Sequence, residues 1–167
     1  MQPKTALPKT DDVRQLPVDL SMVIPPDWED RNGHVNVQHY LSLYERGGWQ
    51  IVHRIGIDEH YLVETRKSFF DLEHHIRYLS EINVGDTVSV YNRLLSYNHK
   101  LFQGMFFIVN DTQNNLAATI EYLSLHIDLE QRSSVPFSTE IRARLNELHH
   151  QHQSLNWAPP MCNLMNL

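Results

Sequence analysis

A long stretch of helical periodicity, placed ahead of several strand-like stretches, constrains the fold of this chain most. Apolar residues recur at helical spacing over residues 37–55, with Asn36 as a candidate N-cap and Gly56 as a candidate C-terminal stop. Gly47 and Gly48 lie in the middle of this stretch, where each glycine costs about 1 kcal/mol relative to alanine. Because that cost must be offset, we expect the two glycines to let the helix approach a sheet closely.

Five strand-like segments accompany the helix, and turn residues separate them. They span residues 18–24 before the helix and residues 68–82, 86–97, 100–109 and 116–129 after it. Short connections between long strands favour antiparallel neighbours, so we expect the last four segments to form a meander. The sequence therefore predicts an α+β fold in which a five-stranded antiparallel sheet wraps around one long central helix.

The two ends of the chain differ from this central part. Residues 1–17 hold three prolines among polar residues, and we predict a flexible N-terminal arm there because such a composition buries little apolar surface. Residues 138–167 are expected to form a C-terminal helix and a tail, with Ser138 as the N-cap and the helix running to about Gln153. Residues 18–137 remain as the domain itself.

Composition and charge exclude several classes of protein. The chain has 167 residues, of which 41% are hydrophobic, enough for one core. Its formal charge of -6 opposes a phosphate backbone, and no apolar run approaches the roughly 18 residues that cross a membrane. We therefore expect neither nucleic acid nor a membrane as partner. The single cysteine, Cys162, and an N-terminus without a long apolar centre favour a reducing compartment, the cytoplasm.

The polar segment directly before the long helix, residues 27–36, holds the candidate chemistry. It contains three acids, one histidine and two asparagines. Backbone N–H groups at the start of a helix stabilise a carbonyl oxygen that becomes an oxyanion, and a nearby carboxylate can activate water or attack directly. This composition suits acyl transfer to water. The other interpretation of the same residues is an acidic loop that only caps the helix.

The spacing of the polar residues in this loop resembles a known signature. Asp30-x-Asn32-x-His34-x-Asn36 followed by Tyr40 is similar to the motif of hot-dog-fold acyl-thioesterases of the 4-hydroxybenzoyl-CoA thioesterase superfamily, including the variant shared with plant acyl-carrier-protein thioesterases. Further matches are Glu45, Tyr78-Leu79, Gly85-Asp86 and Ala118-Thr119-x-Glu121, so that the resemblance covers roughly residues 18–130. It implies a hot-dog fold, thioester hydrolysis, and a homodimer or a dimer of dimers.

The same resemblance implies catalytic roles for four residues. Asp30 matches the position of the nucleophile or general base, and Asn32 and His34 match the polar partners that position the carbonyl or the water. Glu45 matches a helix acid that serves as the base in some related thioesterases, and it is the second candidate here. Other roles are open to three of these residues. Asn32 could be only a turn residue, His34 a histidine whose ring is hydrogen-bonded within the protein, and Glu45 a solvated acid.

Further residues of the loop are candidates for binding substrate. Gly33 permits a close approach of the backbone, and Val35 and Asn36 would supply backbone N–H donors to the oxyanion. Asn36 could instead be only the helix cap.

A narrower resemblance points to the acyl group. Residues 30–37, 78–81, 98–100 and 125–128, with Pro136-Phe137, resemble thioesterases of carnitine breakdown that act on betainyl-CoA. That substrate carries a quaternary ammonium, which aromatic faces bind. Trp28 and Trp49 are the substrate-binding candidates, with Phe69 and Phe70 also available. Packing in the core is the other role open to these rings.

The sequence gives no sign of a metal or a redox cofactor. Eleven histidines are present, but none has a thiolate or carboxylate companion at a zinc-like spacing, and no Gly-x-Ser-x-Gly elbow occurs. Coenzyme A is thus expected only as part of the substrate. We predict hydrolysis of a short acyl-CoA, betainyl-CoA among the candidates. The alternatives are an acyl-acyl-carrier-protein thioesterase, a hot-dog enoyl-thioester hydratase and a non-catalytic acyl-thioester binding module.

Overall fold

The strands of this protein form one antiparallel sheet in a computed structural model that describes residues 6–165 and 167. The strands are β1 (Val18–Val23), β2 (Lys67–Tyr78), β3 (Thr87–Tyr97), β4 (Leu101–Asn110), β5 (Asn115–Asp128) and β6 (Ser133–Ser134). Their order across the sheet is β1-β3-β4-β5-β2, and the two-residue β6 pairs with β5. The sheet therefore contains the five expected strands and one short addition.

The described residues form four α-helices, α1 (Thr10–Val13), α2 (Gln38–Arg54), α3 (Glu59–Thr65) and α4 (Thr139–Gln153), and a short 3-10 helix at Pro26–Trp28. The predicted central helix is confirmed as α2. The Asn36 side chain accepts a hydrogen bond from the N–H of Gln38 at 3.2 Å, although the N-cap residue itself is Val37. Gly56, with φ +89°, follows the helix end as expected. None of the described helices has the length and apolar character that crossing a membrane takes.

The long helix α2 packs closely on one face of the sheet. Its buried positions are Tyr40, Leu43, Tyr44, Gly47, Ile51 and Val52. A Cβ atom at Gly47 would lie only 3.0 Å from Cγ1 of Val90 on β3, whereas one at Gly48 would lie 3.7 Å from Cζ of Phe106. The close approach predicted from the two glycines is therefore present at Gly47, and Gly48 leaves room for a methyl group.

We expect alanine to have different effects at these two glycines. Gly48→Ala should raise the free energy of unfolding by about 0.5–1 kcal/mol, because it removes the helix cost of glycine without a clash. Gly47→Ala should gain less or lose stability, because the Val90 side chain must move. Urea unfolding of both variants measures the difference. Equal gains at the two positions would contradict the packing described here.

The predicted meander is correct only for β3, β4 and β5. The second strand does not lie beside the third, because β1 pairs with β3 and occupies that edge. Instead β2 pairs with β5 along its length, from Lys67 opposite Asp128 to Tyr78 opposite Ala118. As a result β2 is an edge strand at the far side of the sheet from β1.

The N-terminal segment also differs from its prediction as a flexible arm. Residues 1–5 lie outside the described residues. From residue 6 onward the segment packs on the sheet face opposite α2, where Val13 and Leu16 are buried in a cluster with Phe107. Arg14 pairs with Asp111 at 3.1 Å. The composition argument is wrong here because two well-placed apolar side chains suffice to anchor a short segment.

The C-terminal part of the chain is packed as well. α4 begins at the predicted cap, where Ser138 Oγ accepts from the N–H of Ile141 at 3.2 Å, and its apolar stripe joins the main core. Past this helix, the Trp157 carbonyl accepts a hydrogen bond from Arg93 at 2.8 Å, and the guanidinium of Arg93 lies 4.3 Å from the centre of the Trp157 ring. The tail thus covers part of the outer sheet face.

Candidate active site

A tight loop directly before α2 holds the polar residues that the sequence singled out. The N–H of Asp30 donates to the His34 carbonyl at 2.8 Å, and the N–H of Gly33 donates to the Asp30 carbonyl at 3.2 Å. Gly33 has φ +84°, a left-handed conformation that glycine adopts without strain. The tight turn of the loop therefore accounts for the glycine at position 33, without a bound ligand.

The loop brings the carboxylate of Asp30 together with both predicted partners. Its Oδ1 accepts from the N–H of Asn32 at 2.7 Å, and its Oδ2 lies 3.3 Å from Asn32 Nδ2 and 3.5 Å from His34 Nδ1. The Asp30 side chain is 17% exposed. These contacts fix the direction of the carboxylate and leave it accessible from solvent.

The charge state of Asp30 follows from these contacts. Partial loss of hydration raises the pKa of Asp30, but the hydrogen bonds from Asn32 and the electrostatic attraction of the His34 ring outweigh it, and the pKa lies below its usual range. Asp30 is therefore ionised at neutral pH, as a nucleophile or a general base must be.

The backbone donors predicted for the oxyanion are not available. The N–H of Val35 donates to the Ile82 carbonyl at 2.8 Å, and the N–H of Asn36 donates to the Trp28 carbonyl at 2.9 Å. The prediction is thus wrong for the backbone of Val35 and Asn36. Among the described residues, the N–H of Val37 at the amino end of α2 has no hydrogen-bond partner. It is the candidate donor in their place.

Two surface features adjoin the Asp30 loop. An open depression is lined by Glu29, Asp30, Arg31, Asn32 and Asn36. A groove of about 280 Å³ lies next to it, between the first turn of α2 and the segment that follows β2, and His34, Val37 and Tyr40 form one of its sides. The Asp30 carboxylate therefore lies at the surface, in the open depression and beside the groove.

Glu45 and Trp49 lie in a different place, at the mouth of a second cavity between α2 and the sheet. This cavity has a volume of about 210 Å³ and is lined by Tyr44, Glu45, Gly48, Trp49, Ile51, Val52, Phe69, Asp71, Phe102, Phe106, Tyr122 and Ser124. Eight residues separate Val37 from Glu45, which is about 12 Å along a helix axis. Within one protomer, the two candidate bases Asp30 and Glu45 therefore do not share a site.

Of the four aromatic candidates, two line this cavity. Trp49 and Phe69 are among its walls, with ring centres 6.0 Å apart. Trp28 instead stacks on His39 at 4.4 Å and is buried in the main core, so its predicted role in binding substrate is not supported. Phe70 points away from the cavity walls and is 47% exposed.

The cavity also contains a carboxylate that the sequence analysis missed. Asp71 on β2 accepts hydrogen bonds from the hydroxyls of Tyr44 at 2.7 Å and Ser124 at 2.5 Å, and it lies 3.4 Å from His74 Nε2. Its side chain is 23% exposed. The one signal in the sequence was an acid directly after two phenylalanines in a strand.

One group of possible metal ligands occurs in the described part of the chain. Ligand atoms of His75, Glu121 and Cys162 lie within 4.8 Å of one another. Both oxygens of Glu121 already accept hydrogen bonds, from Gln103 Nε2 and from the N–H of Cys162, each at 2.7 Å. The burial of the Glu121 carboxylate is therefore explained by these two hydrogen bonds, one of which holds the C-terminal tail at Cys162.

Comparison with known proteins identifies relatives along most of the chain. Residues 24–145 match the family model of the thioesterase-like superfamily. The L-carnitine dehydrogenase/betainyl-CoA thioesterase of Rhizobium meliloti is 32% identical over 129 residues, which are 77% of this chain and 26% of that protein. The chain thus spans about a quarter of that relative. The betainyl-CoA thioesterase of Pseudomonas aeruginosa is 29% identical over 130 residues, 78% of this chain and 82% of that protein.

Solved structures share the fold. A Staphylococcus aureus protein in complex with CoA aligns with a TM-score of 0.80 at 18% identity and covers 91% of this chain and 96% of its own. A Pseudomonas putida protein proposed to be a thioesterase aligns with a TM-score of 0.76 at 28% identity, with the same coverage. These likenesses confirm the predicted hot-dog fold.

Proposed function

The chain belongs to the thioesterase-like superfamily, and from this premise we propose that it hydrolyses a short acyl-CoA thioester to the free acid and coenzyme A. The observation that carries the proposal is the ionised Asp30 carboxylate, held by Asn32 and His34 beside the amino end of α2. Betainyl-CoA is the first candidate substrate, because relatives named as betainyl-CoA thioesterases are about 30% identical to this chain.

The proposed mechanism uses this carboxylate on the thioester carbonyl. Asp30 takes a proton from a water molecule, which attacks the carbonyl carbon, or it attacks that carbon itself and water then releases the acyl group. The carbonyl oxygen becomes an oxyanion near the N–H of Val37, where the helix end carries partial positive charge. The carbon–sulfur bond breaks, and the thiolate of CoA leaves. This chemistry uses no metal or redox group, and CoA enters only with the substrate. We also propose the cytoplasm as the location of this chain, because its single cysteine is typical of a reducing compartment.

We further propose that two copies of the chain form the active unit, as a homodimer or as a dimer of dimers. β2 pairs with β5 on one side only, and among the described residues its other edge is unpaired. Phe70, Leu72 and Tyr78 on this strand are 47%, 52% and 50% exposed. A long apolar edge strand is a template for pairing with another chain. A second copy would also bring its own Asp30 loop toward the cavity mouth.

Leu72→Lys should weaken this dimer. The change places like charges near each other in a symmetric interface while the exposed side chain contributes little to the isolated fold. We expect the mass by light scattering to fall to that of a monomer and the hydrolysis rate to fall at least tenfold. Val63→Lys is the matched control, because Val63 is 72% exposed on α3 and is not a residue of the β2 edge. A Leu72→Lys variant that is both monomeric and fully active would contradict the proposed assembly.

Release of free thiol tests the function directly. The purified full chain is given betainyl-CoA, short straight-chain acyl-CoA esters, an aromatic acyl-CoA, a short acyl-acyl-carrier protein and an enoyl-CoA. Thiol release from a CoA ester, with the matching free acid as second product, supports the proposal. Turnover of only the carrier-protein ester indicates the related thioesterase class. A hydroxyacyl product without free thiol indicates a hydratase, and binding without any product indicates a binding module.

A further inference from the structure

The cavity between α2 and the sheet has walls that are mostly aromatic. Its rings are Tyr44, Trp49, Phe69, Phe102, Phe106 and Tyr122. Most of them contact one another edge to face, with centre distances from 4.7 Å for Tyr44 and Phe106 to 6.2 Å for Phe69 and Phe102, and Phe106 and Tyr122 are tilted at 5.3 Å. Aromatic faces attract cations through the negative potential above the ring plane. The walls therefore suit a cation with an apolar outer surface.

The charged side chains that line the same cavity are both acidic. Asp71 and Glu45 are the charged residues among its walls, and no lysine, arginine or histidine of the described residues lines it. Loss of hydration raises the pKa of Asp71, but the hydrogen bonds from His74, Ser124 and Tyr44 outweigh it, so its pKa lies below the usual range. Tyr44 and Ser124 are neutral donors, and His74 is the one neighbour that can carry a compensating charge.

These observations assign the cavity a ligand class. Provided that the chain is the thioesterase proposed above, we propose that this cavity binds the acyl group and selects acyl chains that end in a quaternary ammonium, with Asp71 as the counter-ion and Trp49 and Phe69 as cation-binding faces. The volume of about 210 Å³ equals roughly seven water molecules at about 30 Å³ each. It accommodates the few heavy atoms of a trimethylammonium group and its methylene.

The acyl group of such a substrate is short, and its length limits where the reacting carbonyl can lie. In a betainyl thioester one methylene joins the ammonium to the carbonyl carbon, so in this proposal the ammonium lies beside Asp71 and the carbonyl points toward Glu45 and Trp49, which line the same cavity. The Asp30 loop of the same copy precedes the amino end of α2, where Val37 lies about 12 Å from Glu45 along the helix axis. The attacking acid at this cavity is therefore Asp30 of a second copy, and each active site combines the cavity of one protomer with the loop of the other.

A neutral analogue of the substrate with the same shape measures how much the positive charge contributes to substrate selection. In 3,3-dimethylbutanoyl-CoA a carbon atom replaces the ammonium nitrogen, and the shape is otherwise kept. We expect the wild-type protein to favour betainyl-CoA by at least tenfold in kcat/KM from thiol release. Asp71→Asn keeps the size and removes the charge, and we expect it to bring the ratio of the two kcat/KM values close to one. Phe69→Leu should lower the ratio by a smaller factor, because it removes one cation-binding face.

The ratio separates recognition from a merely structural role. If Asp71→Asn lowers both kcat/KM values by the same factor and the ratio is unchanged, Asp71 only supports the fold and the inference is overturned. A wild-type ratio near one overturns it as well. If the wild-type protein hydrolyses none of the thioesters, the proposed function fails by itself, and the cavity is then tested by binding alone.

Binding of tetramethylammonium provides this second measurement and needs no turnover. Titration of the wild-type full chain, followed by tryptophan fluorescence and by the shift in Tm, should show saturable binding, and the neutral tert-butanol should show none. Asp71→Asn should weaken the binding at least tenfold, whereas Val63→Lys on α3 should not alter it. Equal responses to the cation and to the alcohol would overturn the inference even if the chain is a thioesterase.

Mixed dimers test the shared site. Coexpression of Asp30→Asn and Asp71→Asn chains gives a heterodimer in which one active site retains both an intact loop and an intact cavity. We expect betainyl-CoA hydrolysis by the mixture to exceed clearly the average of the two separate variants. An activity no higher than that average would overturn the assignment of loop and cavity to different protomers.

Discussion

Asp30→Asn should lower kcat for thioester hydrolysis by about 10²–10⁴-fold, the range that a positioned general base contributes. The amide has nearly the size of the carboxylate and can still accept from the N–H of Asn32, so the loop should keep its shape. Only the ability to take a proton from water, or to attack the carbonyl, is removed. Initial rates of thiol release from the best substrate of the wild-type protein measure the loss.

Two comparisons separate a loss of catalysis in Asp30→Asn from a loss of stability and from a role of Glu45. The Tm of Asp30→Asn should stay near that of the wild-type protein, since the Asp30 side chain lies at the surface and packs in no core. Glu45→Gln is the matched variant for the second candidate base, and we expect it to cost much less in kcat because Glu45 lines the cavity and no side chain of the described residues holds its carboxylate as Asn32 and His34 hold that of Asp30. A large loss with Glu45→Gln and little with Asp30→Asn would transfer the catalytic role to the helix acid.

The sequence allows the geometry of the Asp30 loop to be predicted because the contacts of this loop are local. Asp30 meets Asn32 and His34 two and four residues along the chain, so the spacing of the motif already contains the geometry. The oxyanion donors were predicted wrongly for the opposite reason. The N–H of Val35 is used by the carbonyl of Ile82, a contact between distant parts of the chain that no local pattern reveals.

The acyl cavity could not be predicted for a related reason. Tyr44, Asp71 and Ser124 meet only because β2 pairs with β5 and α2 crosses that part of the sheet. Turn lengths alone favoured a meander, in which β2 would lie beside β3 and Asp71 would be far from Ser124. Whether β1 or β2 occupies the edge of β3 depends on the packing of the whole sheet, and this choice decides where the cavity forms.

The Asp30 loop and the cavity therefore differ in the sequence separation of the contacts that form them. The loop before α2 supplies an ionised acid through contacts that are short in sequence, and this element is what the family motif describes. The cavity, which we propose recognises the acyl group, is formed by contacts between α2 and separate strands. Side chains can change in the cavity without altering the loop, which is how one fold can serve different acyl-CoA esters.

Gly104→Ala should cause the largest loss of stability among the single changes considered for this chain. Gly104 on β4 lies directly opposite Tyr122 on β5, and the tyrosine ring covers it. An added Cβ would lie 2.6 Å from Cε1 of Tyr122 and closer still to Cζ and Oη, distances that real Cβ atoms do not show. The ring would have to move, although it is buried and its hydroxyl is hydrogen-bonded to Asn92 at 3.1 Å.

The expected cost combines two effects. Overpacking of a core costs about 1–3 kcal/mol, and separating the buried hydroxyl and amide of Tyr122 and Asn92 adds about 1–3 kcal/mol. We therefore expect the free energy of unfolding to fall by about 2–6 kcal/mol in urea denaturation, against a gain for Gly48→Ala, where the added methyl group meets only an ordinary contact. Because Tyr122 also lines the acyl cavity, the folded fraction should hydrolyse its substrate more slowly.

A second substitution distinguishes this clash from a general intolerance of alanine in β4. Tyr122→Leu removes the ring atoms that the new Cβ would meet, so Gly104→Ala should cost clearly less in the Tyr122→Leu background than in the wild-type protein. Equal costs in the two backgrounds would show that the ring of Tyr122 is not what excludes a side chain at position 104. The same double variant enlarges the cavity, and its activity on bulkier neutral acyl-CoA esters should then rise relative to that on betainyl-CoA.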